Sequence, residues 1–548
     1  MFGRQISRPN LLFGLLVAAA IPFFVNLGVS SIWDANEAFY AQTPREMMEA
    51  GDYVTPSFNF QLRMNKPVLS YWEVAASYHL FGVSERSERL PIAVGGLVLI
   101  ATAFGLGRLM GGTTGGLFAG LVLATSPRVL LLARRIIIDV HITMLLGLIL
   151  LFFALAETRP DRRRSFLCLM YVAAGFGVLM KGPLAVFIPA LVFLLYLASQ
   201  RRLGDIRRLM LPAGAAISLA IVVPWYYLLY QEHGFEYIRS FIIGENLGRY
   251  AETVGEQSRG AFFYLPVMMA DLFPWTLLLP LALWWAFRES AHDRVARLLL
   301  IWIAAIVAFF SMSGTKEDLY ILPIVPAAAA LIGAMIGKAI EGAPISSAVR
   351  WFSAAAGAAL LTAGVLAFWF FAVAHRYSLN GGALVGLAAA VGGFIALAAA
   401  LRRRVLATAS VLAATLVLIS WCVVLICLPD FERYKPVRPF ADIIRSRATV
   451  GAIVGSYKFA LPSMVYYLHR PIMEVVLPDH LRAVFYSSSD IYFVMPEAEY
   501  ESVRERLPVT TYVLARQQMF DLRLRNFLEG SELPQFVLVS NRPGDSAK

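Results

Sequence analysis

Long apolar runs constrain this chain more than any other feature of its sequence. Leu11–Val29 and Val405–Leu428 are two of them. At 1.5 Å of helix per residue, each is long enough to cross a hydrocarbon core of about 30 Å. The 548 residues are 58% hydrophobic and 16% charged, whereas soluble domains are roughly half apolar and about a quarter charged. The sequence therefore predicts a protein that crosses a membrane many times.

Hydropathy predicts about thirteen transmembrane helices within the first four-fifths of the chain. The predicted spans begin near Leu11, Pro91, Gly115, Val140, Ser165, Pro183, Leu209, Phe262, Leu298, Ile321, Trp351, Gly382 and Val405. The first run follows a short basic start, as in a signal peptide. Because further spans follow it, we interpret it as a retained first helix.

The basic residues are distributed unevenly between the two sides of the membrane. The amino terminus and one set of loops hold 19 Lys/Arg against 5 Asp/Glu, and the opposite set holds 13 against 16. By the positive-inside rule the first set is cytoplasmic. This predicts a multi-pass protein of a bacterial inner membrane with a periplasmic carboxyl-terminal segment. The net charge of +11 is then mainly an insertion signal, and we expect no nucleic-acid partner.

The chain changes character near residue 429, where charge rises and short β-rich runs appear. These runs are Val450–Val454, Met473–Leu477, Ile491–Met495, Val509–Leu514 and Gln535–Val539. They alternate with helix-like stretches such as Ala498–Arg506. We therefore expect an all-α polytopic membrane domain over residues 1–428 and a soluble α/β domain over residues 429–548.

Function is expected on the outer face, because the large connections lie there. The predicted outer loops are residues 31–90, 133–139, 229–261 and 313–320, and long ordered loops are usually functional. Within the first loop, Thr43–Ala50 and Pro67–Phe81 have the pattern of amphipathic helices that lie in the membrane interface.

Three acids on these loops are candidate catalytic groups. Asp34 and Glu37 lie between Trp33 and Tyr40, aromatic residues that favour the headgroup level, where a partly desolvated carboxylate can act as a base. Asp139 opens a predicted span, so it either caps that helix or lies at the membrane surface near the first-loop acids. His141 is interpreted as a packed interfacial histidine rather than a metal ligand.

Several basic residues lie on predicted outer loops, where the positive-inside rule does not explain a positive charge. They therefore need another explanation. They are Arg63, Lys66, Arg249, Arg259 and Lys316. Pairing with nearby acids is one explanation, and Lys316 directly precedes Glu317 and Asp318. Binding a phosphate group is the other. The sequence leaves both open.

Motifs of other common enzymes are missing from the sequence. It contains no Walker loop, no H-E-x-x-H and no G-x-S-x-G. The three cysteines lie in apolar runs without metal-site or disulfide spacing. Acids and cations on the outer face, without a nucleotide site, indicate a lipid-borne activated substrate.

Residues 30 to 330 carry a series of short motifs that resembles one family. They are Trp33-x-x-x-Glu37-x-x-Tyr40, Arg45-Glu46-Met47, Lys66-Pro67, Tyr71-Trp72, Arg89-Leu90-Pro91, Met180-Lys181-Gly182, Pro224-Trp225, Phe273-Pro274-Trp275 and Lys316 with Tyr320-Ile321-Leu322-Pro323. In order and spacing they resemble the polyprenyl-phosphate-dependent sugar transferases of the GT-C class. That class includes lipid A aminoarabinose transferases and bacterial relatives of the protein O-mannosyltransferases.

The resemblance implies an inverting glycosyltransferase. Its donor would be a polyprenyl-phosphate sugar, and its acceptor a lipid, glycan or protein at the outer face, among membrane lipids. The family's second acid maps to Asp139. At the first acid Asn36 stands where the family has Asp, which leaves Asp34 and Glu37 as alternatives. The basic residues above would hold the phosphate, and Tyr320 would close the site. No cofactor is firmly predicted, and a divalent metal ion is the one candidate.

Two other classes remain open at the level of sequence. A transporter or flippase for a lipid-linked substrate would place ionisable residues near the membrane midplane and show repeated spans. The ionisable residues here fall near predicted span ends, and no repeat is evident. A catalytically inactive scaffold is kept open by Asn36.

Overall fold

A computed structural model describes residues 8–63, 65–239, 241, 244, 259–260, 262–374, 378–520 and 533–544. The chain is helical up to about residue 447 and ends in a small mixed sheet flanked by helices. The α-helices are α1 (Arg8–Ala20), α2 (Asn36–Ala50), α3 (Leu69–Phe81), α4 (Glu85–Ala124), α5 (Pro127–Leu132), α6 (Ile138–Thr158), α7 (Arg163–Lys181), α8 (Leu184–Ser199), α9 (Leu211–Arg239), α10 (Tyr264–Asp271), α11 (Leu279–Glu289), α12 (Arg294–Ser311), α13 (Val325–Ile340), α14 (Ser346–Phe368), α15 (Gly382–Leu401), α16 (Val405–Cys422), α17 (Leu428–Phe431), α18 (Val437–Arg447), α19 (Ser463–Leu468), α20 (Pro478–Val484) and α21 (Glu497–Val503). The strands are β1 (Ser57–Phe58), β2 (Gln61–Leu62), β3 (Ile453–Tyr457), β4 (Met473–Val475), β5 (Ile491–Pro496), β6 (Tyr512–Gln518) and β7 (Gln535–Ser540).

The predicted all-α membrane domain is confirmed. In the described part of the chain, nine helices are long and apolar enough to cross a membrane, or ten if the bent pair α10 and Trp275–Glu289 counts as one span. The other three of the thirteen predicted starts fall on the shorter apolar helices Pro9–Phe23 and Leu184–Ser199 and on the second half of α4. The helix α4 is 40 residues long and is broken at Gly111 and Gly112, whose dihedral angles are not helical.

Small residues let the helices of this bundle approach each other at the level of the backbone. A Cβ atom added to Gly333 of α13 would lie 2.2 Å from the backbone nitrogen of Ala119 in α4. One added to Gly337 would lie 2.7 Å from the backbone nitrogen of Gly115. Such small-residue contacts are typical of membrane helices, whose association depends on close packing rather than on water exclusion.

The first outer loop contains the two helices that the sequence predicts there. α2 covers the predicted stretch Thr43–Ala50 and begins seven residues earlier, at Asn36, whereas α3 begins at Leu69, two residues later than the predicted stretch Pro67–Phe81. Between them lies the short antiparallel hairpin β1–β2. α2 ends at Gly51, whose positive φ of 67° is one that glycine adopts without strain.

The carboxyl-terminal sheet has five strands in the order β4-β3-β5-β7-β6. β3 pairs in parallel with β4 and β5, whereas β7 pairs antiparallel with β5 and β6. All five β-rich runs of the sequence form strands, although β3 and β6 begin three residues later than predicted. Successive residues of β7 face opposite sides, so Phe536 and Leu538 enter one apolar cluster while Val537 and Val539 enter another.

Replacing Gly333 with alanine should push α13 and α4 apart. We expect the Gly333→Ala variant to lose about 1–3 kcal/mol of stability, the usual cost of overpacking a tight contact, and to unfold at a lower temperature in detergent. Gly14→Ala in α1 is the matched control, because its added Cβ would have no atom within 4 Å. Equal unfolding temperatures for the two variants would contradict this packing.

Candidate functional site

Glu37, the first-loop acid predicted to act on substrate, lies in a buried ion pair. The Arg89 guanidinium donates to both of its carboxylate oxygens, from Nε at 2.8 Å and from Nη2 at 3.0 Å. The backbone N–H of Trp33 donates to Glu37 Oε2 at 2.7 Å. Arg89 also donates to the carbonyl oxygens of Leu27, at 2.6 Å, and of Ser30, at 2.6 Å. Both side chains are buried.

This ion pair changes what can be expected of Glu37. Burial opposes the charge of the carboxylate, but the neighbouring Arg89 outweighs it, so the pKa of Glu37 is lowered. A buried carboxylate with a lowered pKa is a weak base, and its oxygens already accept three hydrogen bonds. The catalytic role remains a prediction, while the geometry is that of a group that positions Trp33 and α2.

Asp34 contacts the carboxyl-terminal domain rather than an open cavity. Its oxygens accept from the Ser463 backbone N–H at 2.7 Å and from the Ser463 hydroxyl at 2.5 Å. Burial raises the pKa of Asp34 to about 6, although the Ser463 hydrogen bonds act in the opposite direction. A carboxyl with this pKa changes charge near neutral pH. Its base role is untested, and the contact itself joins the first loop to α19.

Asp139 forms an ion pair that the local sequence pattern does not reveal. It lies in the first turn of α6, whose N-cap is Ile137, so it does not cap the helix. Its carboxylate accepts from the Lys181 ammonium group at the end of α7. The Lys181 nitrogen lies 5.6 Å from the centre of the Tyr320 ring. The predicted second acid and the predicted closing residue are thus brought together through Lys181.

Two of the predicted phosphate-binding residues lie on adjacent loops. Arg259 donates through Nη1 to the Lys316 carbonyl oxygen at 2.5 Å and forms an ion pair with Glu317 at 3.3 Å. The Lys316 ammonium group donates to the Ser313 carbonyl oxygen at 2.8 Å. Lys316 therefore does not use the neighbouring acids as partners: Glu317 pairs with Arg259, and Asp318 pairs with Arg128 at 2.5 Å.

The remaining basic candidates lie in the first loop or outside the described residues. The Arg63 guanidinium lies 3.7 Å from the centre of the Phe39 ring and faces the hydroxyl of the buried Tyr71. Lys66 is half-buried just before α3. Arg249 lies outside the described residues.

Asp139, Tyr320, Lys316 and Arg259 are grouped around one short 3-10 helix. This helix, Asp318–Ile324, carries Tyr320 and packs against both α6 and α10. Within the described ranges, neither Asp34 nor Glu37 has a hydrogen bond or ion pair with any of these four side chains. The structure thus separates the predicted acids into one group at the carboxyl-terminal domain and one at the basic loops.

Two buried charge clusters were missed by the sequence reasoning. Arg128 bridges Asp318 and the buried Asp271, with an Nη1–Oδ1 distance of 2.9 Å to the latter. His141 Nδ1 lies 3.2 Å from Glu73 Oε2, and burial raises the pKa of Glu73. The sequence feature that could have indicated these clusters is an ionisable residue at the end of a span. Placing such a residue in the membrane costs free energy unless it pairs with another charge.

Comparison with known proteins adds to this geometry. Residues 65–228 match the family described as dolichyl-phosphate-mannose-protein mannosyltransferase. A Pseudomonas fluorescens protein named undecaprenyl phosphate-alpha-4-amino-4-deoxy-L-arabinose arabinosyl transferase 2 is 32% identical over 337 residues, 60% of this chain and 57% of that protein. An uncharacterised Aquifex aeolicus protein is 30% identical over 316 residues, 58% of this chain and 62% of that one. These matches span less than two thirds of either relative.

The similarity of structure extends over almost the whole chain. The crystal structure of ArnT from Cupriavidus metallidurans bound to undecaprenyl phosphate covers 98% of this chain and 99% of its own, with a TM-score of 0.78 and 25% identity. The apo form has a TM-score of 0.79. The chain resembles ArnT and has its GT-C fold. The resemblance to GT-C glycosyltransferases that the sequence motifs predict is confirmed.

The described side chains of this GT-C fold do not form a recognisable metal site. Among the residues that the structure describes, no group of three or more His, Cys, Asp and Glu side chains is arranged to hold a metal ion. The position before Lys66 is Asn65, a weaker metal ligand than an acid.

Removing the charge of Glu37 should destabilise this GT-C chain more than removing an exposed charge. Glu37→Gln removes the carboxylate that the buried Arg89 bonds at both oxygens and leaves only Glu88, whose Oε2 lies 3.8 Å from the Arg89 Nε; removing one partner of a buried ion pair typically costs about 3–5 kcal/mol. Thermal unfolding of the purified protein measures the loss. Glu341→Gln is the matched control, because its partner Lys338 is exposed and such pairs contribute about 0–1 kcal/mol. Similar losses in both variants would contradict a structural role for the pair.

The contact between Asp34 and Ser463 should depend on pH. Because burial raises the pKa of Asp34 from 3.8 to about 6, the stabilisation from its neutral form is complete below pH 3.8 and is lost as pH rises through about 6. The stability advantage of the wild type over Asp34→Asn should therefore fall by on the order of 1 kcal/mol between about pH 4.5 and about pH 7.5.

Unfolding curves of wild type and Asp34→Asn at the two pH values test this expectation. Asp442→Asn, at an exposed position of α18, controls for the loss of a carboxylate on the same domain. A wild-type advantage that stays constant or grows with pH would show that the ionisation of Asp34 does not act on this contact.

Proposed function

We propose that the chain is an inverting glycosyltransferase that uses a polyprenyl-phosphate sugar as donor. The acceptor is a lipid, glycan or protein at the outer face of a bacterial inner membrane. One observation carries the proposal: the 3-10 helix Asp318–Ile324 lies between the Asp139–Lys181 ion pair and the basic loops of Arg259 and Lys316. The names of the relatives support a donor built on undecaprenyl phosphate.

The basic residues supply the electrostatic part of the reaction. As the bond between the anomeric carbon and the phosphate oxygen breaks, negative charge grows on the leaving phosphate. Arg259 and Lys316 are held on backbone carbonyl groups, and Lys66 and Arg63 lie on the first loop. Guanidinium and ammonium groups fixed in advance stabilise such charge without reorganisation. Arg249 is proposed for the same role.

Asp139 is proposed to orient or deprotonate the acceptor. Its carboxylate is held by Lys181, which also faces the ring of Tyr320. If the acceptor is a hydroxyl, release from Lys181 lets Asp139 take its proton while the hydroxyl oxygen attacks the anomeric carbon. If the acceptor is an ionised phosphate, no base is needed and the carboxylate only positions it. Tyr320 is proposed to close the site over the donor.

The arrangement in the membrane follows from the same proposal. The charge bias puts the amino terminus in the cytoplasm, and both acid groups and the basic loops on the periplasmic side. Residues 1–428 then form the catalytic membrane domain, and residues 429–548 form a periplasmic domain that contacts the first loop through Asp34 and Ser463.

Substitutions in the basic loops and at Asp139 should abolish transfer without unfolding the protein. We expect Lys316→Ala to lower kcat/KM by about 10²–10³, as for other electrostatic groups that stabilise a leaving charge. Asp139→Asn should lower kcat by about 10²–10⁴ if the acceptor is a hydroxyl. The assay offers radiolabelled polyprenyl-phosphate sugars and a membrane lipid extract to the purified protein and measures transferred label.

The matched control is Lys458→Ala, which removes an exposed lysine paired with Glu499 on the carboxyl-terminal domain. This variant should transfer sugar at the wild-type rate. A wild type that binds a donor but never transfers its sugar would instead favour transport or scaffolding. A Lys316→Ala variant with wild-type kcat/KM would remove this residue from the phosphate site.

A further inference from the structure

A basic cavity lies on the outer side, and it is lined by residues that the proposed function does not use. Its volume is about 250 Å³. Its walls come from the segment after α1, from the end of α5 and the residues after it, and from the end of the last span. None of the proposed donor-binding residues lines it. Since its walls are the outer ends of spans, the cavity lies at the level of the headgroups.

The polar side of this cavity is cationic and lacks an acid. Its lining includes Arg89, Arg134 and Arg135, and no described lining residue is Asp or Glu. Arg89 is already neutralised by Glu37. Arg134 and Arg135 have no ion pair with a carboxylate among the described residues. The cavity therefore holds two arginines with no carboxylate bonded to them, although Glu37, which pairs with Arg89, also acts on Arg135 at longer range.

Arg134 is the residue that most requires an external partner. Its side chain is only 6% exposed, and its Nε has no hydrogen-bond partner in the described part of the chain. One terminal nitrogen donates to the Pro22 carbonyl oxygen, which satisfies a donor but supplies no negative charge. Burying a guanidinium without an anion is costly. A phosphate oxygen at Nε would supply both the missing acceptor and the missing charge.

Arg135 completes the cationic side through an aromatic contact. Its guanidinium lies 4.8 Å from the centre of the Trp33 ring, and the same ring faces the Lys435 ammonium group at 4.1 Å. Phe431 stacks on Trp33 at 5.5 Å. The ring of Trp33 thus stabilises the charge of Arg135 without neutralising it, whereas Lys435 also has the Glu432 carboxylate 3.9 Å away.

The other side of the cavity is apolar and opens toward lipid. Leu27, Leu131, Val424 and Leu428 belong to this wall. Leu131 is 36% exposed, and Val29 at the same rim is 42% exposed, so this rim can contact the first methylenes of a lipid whose headgroup lies at the level of the cavity. A ligand with a phosphate group and an aliphatic chain matches both sides.

We propose that this cavity binds the headgroup phosphate and first methylenes of an anionic phospholipid from the surrounding bilayer. The volume is below the roughly 300–1,000 Å³ of pockets that enclose whole ligands, so the chains lie outside, along the exposed apolar rim. Through Arg135 and Trp33, the lipid would support the first loop at the point where Trp33 donates to Glu37. The site is independent of donor binding and would persist without transfer activity.

Native mass spectrometry of the full chain in detergent tests the site directly. The probes are phosphatidylglycerol, phosphatidylcholine, undecaprenyl phosphate and inorganic phosphate. The wild type should retain one phosphatidylglycerol at least tenfold more tightly than phosphatidylcholine. Arg134→Gln and Arg135→Gln should each lose that preference, and Arg134→Lys should keep part of it. Arg482→Gln, on the carboxyl-terminal domain away from the cavity, should bind like the wild type.

Three results would overturn the proposal. Equal retention of the two phospholipids by the wild type would remove the role of charge. Unchanged retention of phosphatidylglycerol in both Arg134→Gln and Arg135→Gln would remove the cavity. Displacement of phosphatidylglycerol by inorganic phosphate or undecaprenyl phosphate at equal concentration would mean a free-anion site or a donor site. Arg135→Gln keeps the test valid if Arg134→Gln fails to fold, because Arg135 has no side-chain bond to the backbone among the described contacts.

Discussion

The buried ion pair between Arg89 and Glu37 joins α4 to the end of the first apolar segment and to the start of α2, which lie more than 50 residues earlier in the chain. Arg89 belongs to the first turns of α4, Glu37 to the first turn of α2, and the carbonyl groups that share the guanidinium follow α1. A guanidinium removed from water is tolerated only when nearly all its donors are used and its charge is balanced. Because Glu37 and the carbonyl groups meet this condition, the start of the first loop is fixed against the membrane domain. Trp33 is fixed with it, since its backbone N–H donates to Glu37.

The carboxyl-terminal domain is held on this fixed loop by polar contacts and by an apolar cluster of Ile32, Ala38, Ala41 and Tyr466. Asn59 of the β1–β2 turn exchanges two hydrogen bonds with the backbone of Ile472, each 2.9 Å long. The Ile32 backbone N–H donates to the Tyr467 hydroxyl at 2.7 Å. The hydrogen bonds specify the orientation of the domain and the apolar cluster adds buried surface, so the position of the domain depends on the loop beneath it.

The sequence was most informative where structure follows from local composition. Hydropathy located every apolar helix, and β-rich composition located all five strands of the terminal sheet. Strand boundaries shifted by up to four residues, because the pattern marks apolar residues rather than the ladder of hydrogen bonds. The 113° bend at residues 271–275 was not predicted, because the helices on either side of it form one continuous apolar run in the sequence.

Local sequence patterns did not predict which charged residues pair with each other across long distances in the chain. Glu37 looked like an available acid because its partner Arg89 lies 52 residues away, and Asp139 looked like a cap because Lys181 lies 42 residues away. Nothing in a local pattern distinguishes an exposed carboxylate from one that an incoming helix will bury. The family resemblance did identify Arg89 and Lys181 as motif residues, but their roles appear only when the helices are packed.

The outer-face cations share a mode of stabilisation that bears on both proposals. Arg259 and Lys316 donate to backbone carbonyl groups, and so do Arg134 and Lys435. A carbonyl group offsets part of the cost of dehydrating a cation, yet it leaves the net charge in place. Arg259 and Lys435 each also lie near a carboxylate, Glu317 at 3.3 Å and Glu432 at 3.9 Å. Lys316 and Arg134 have no such ion pair among the described residues, so their charges stay available to the lipid phosphates at the adjacent membrane surface.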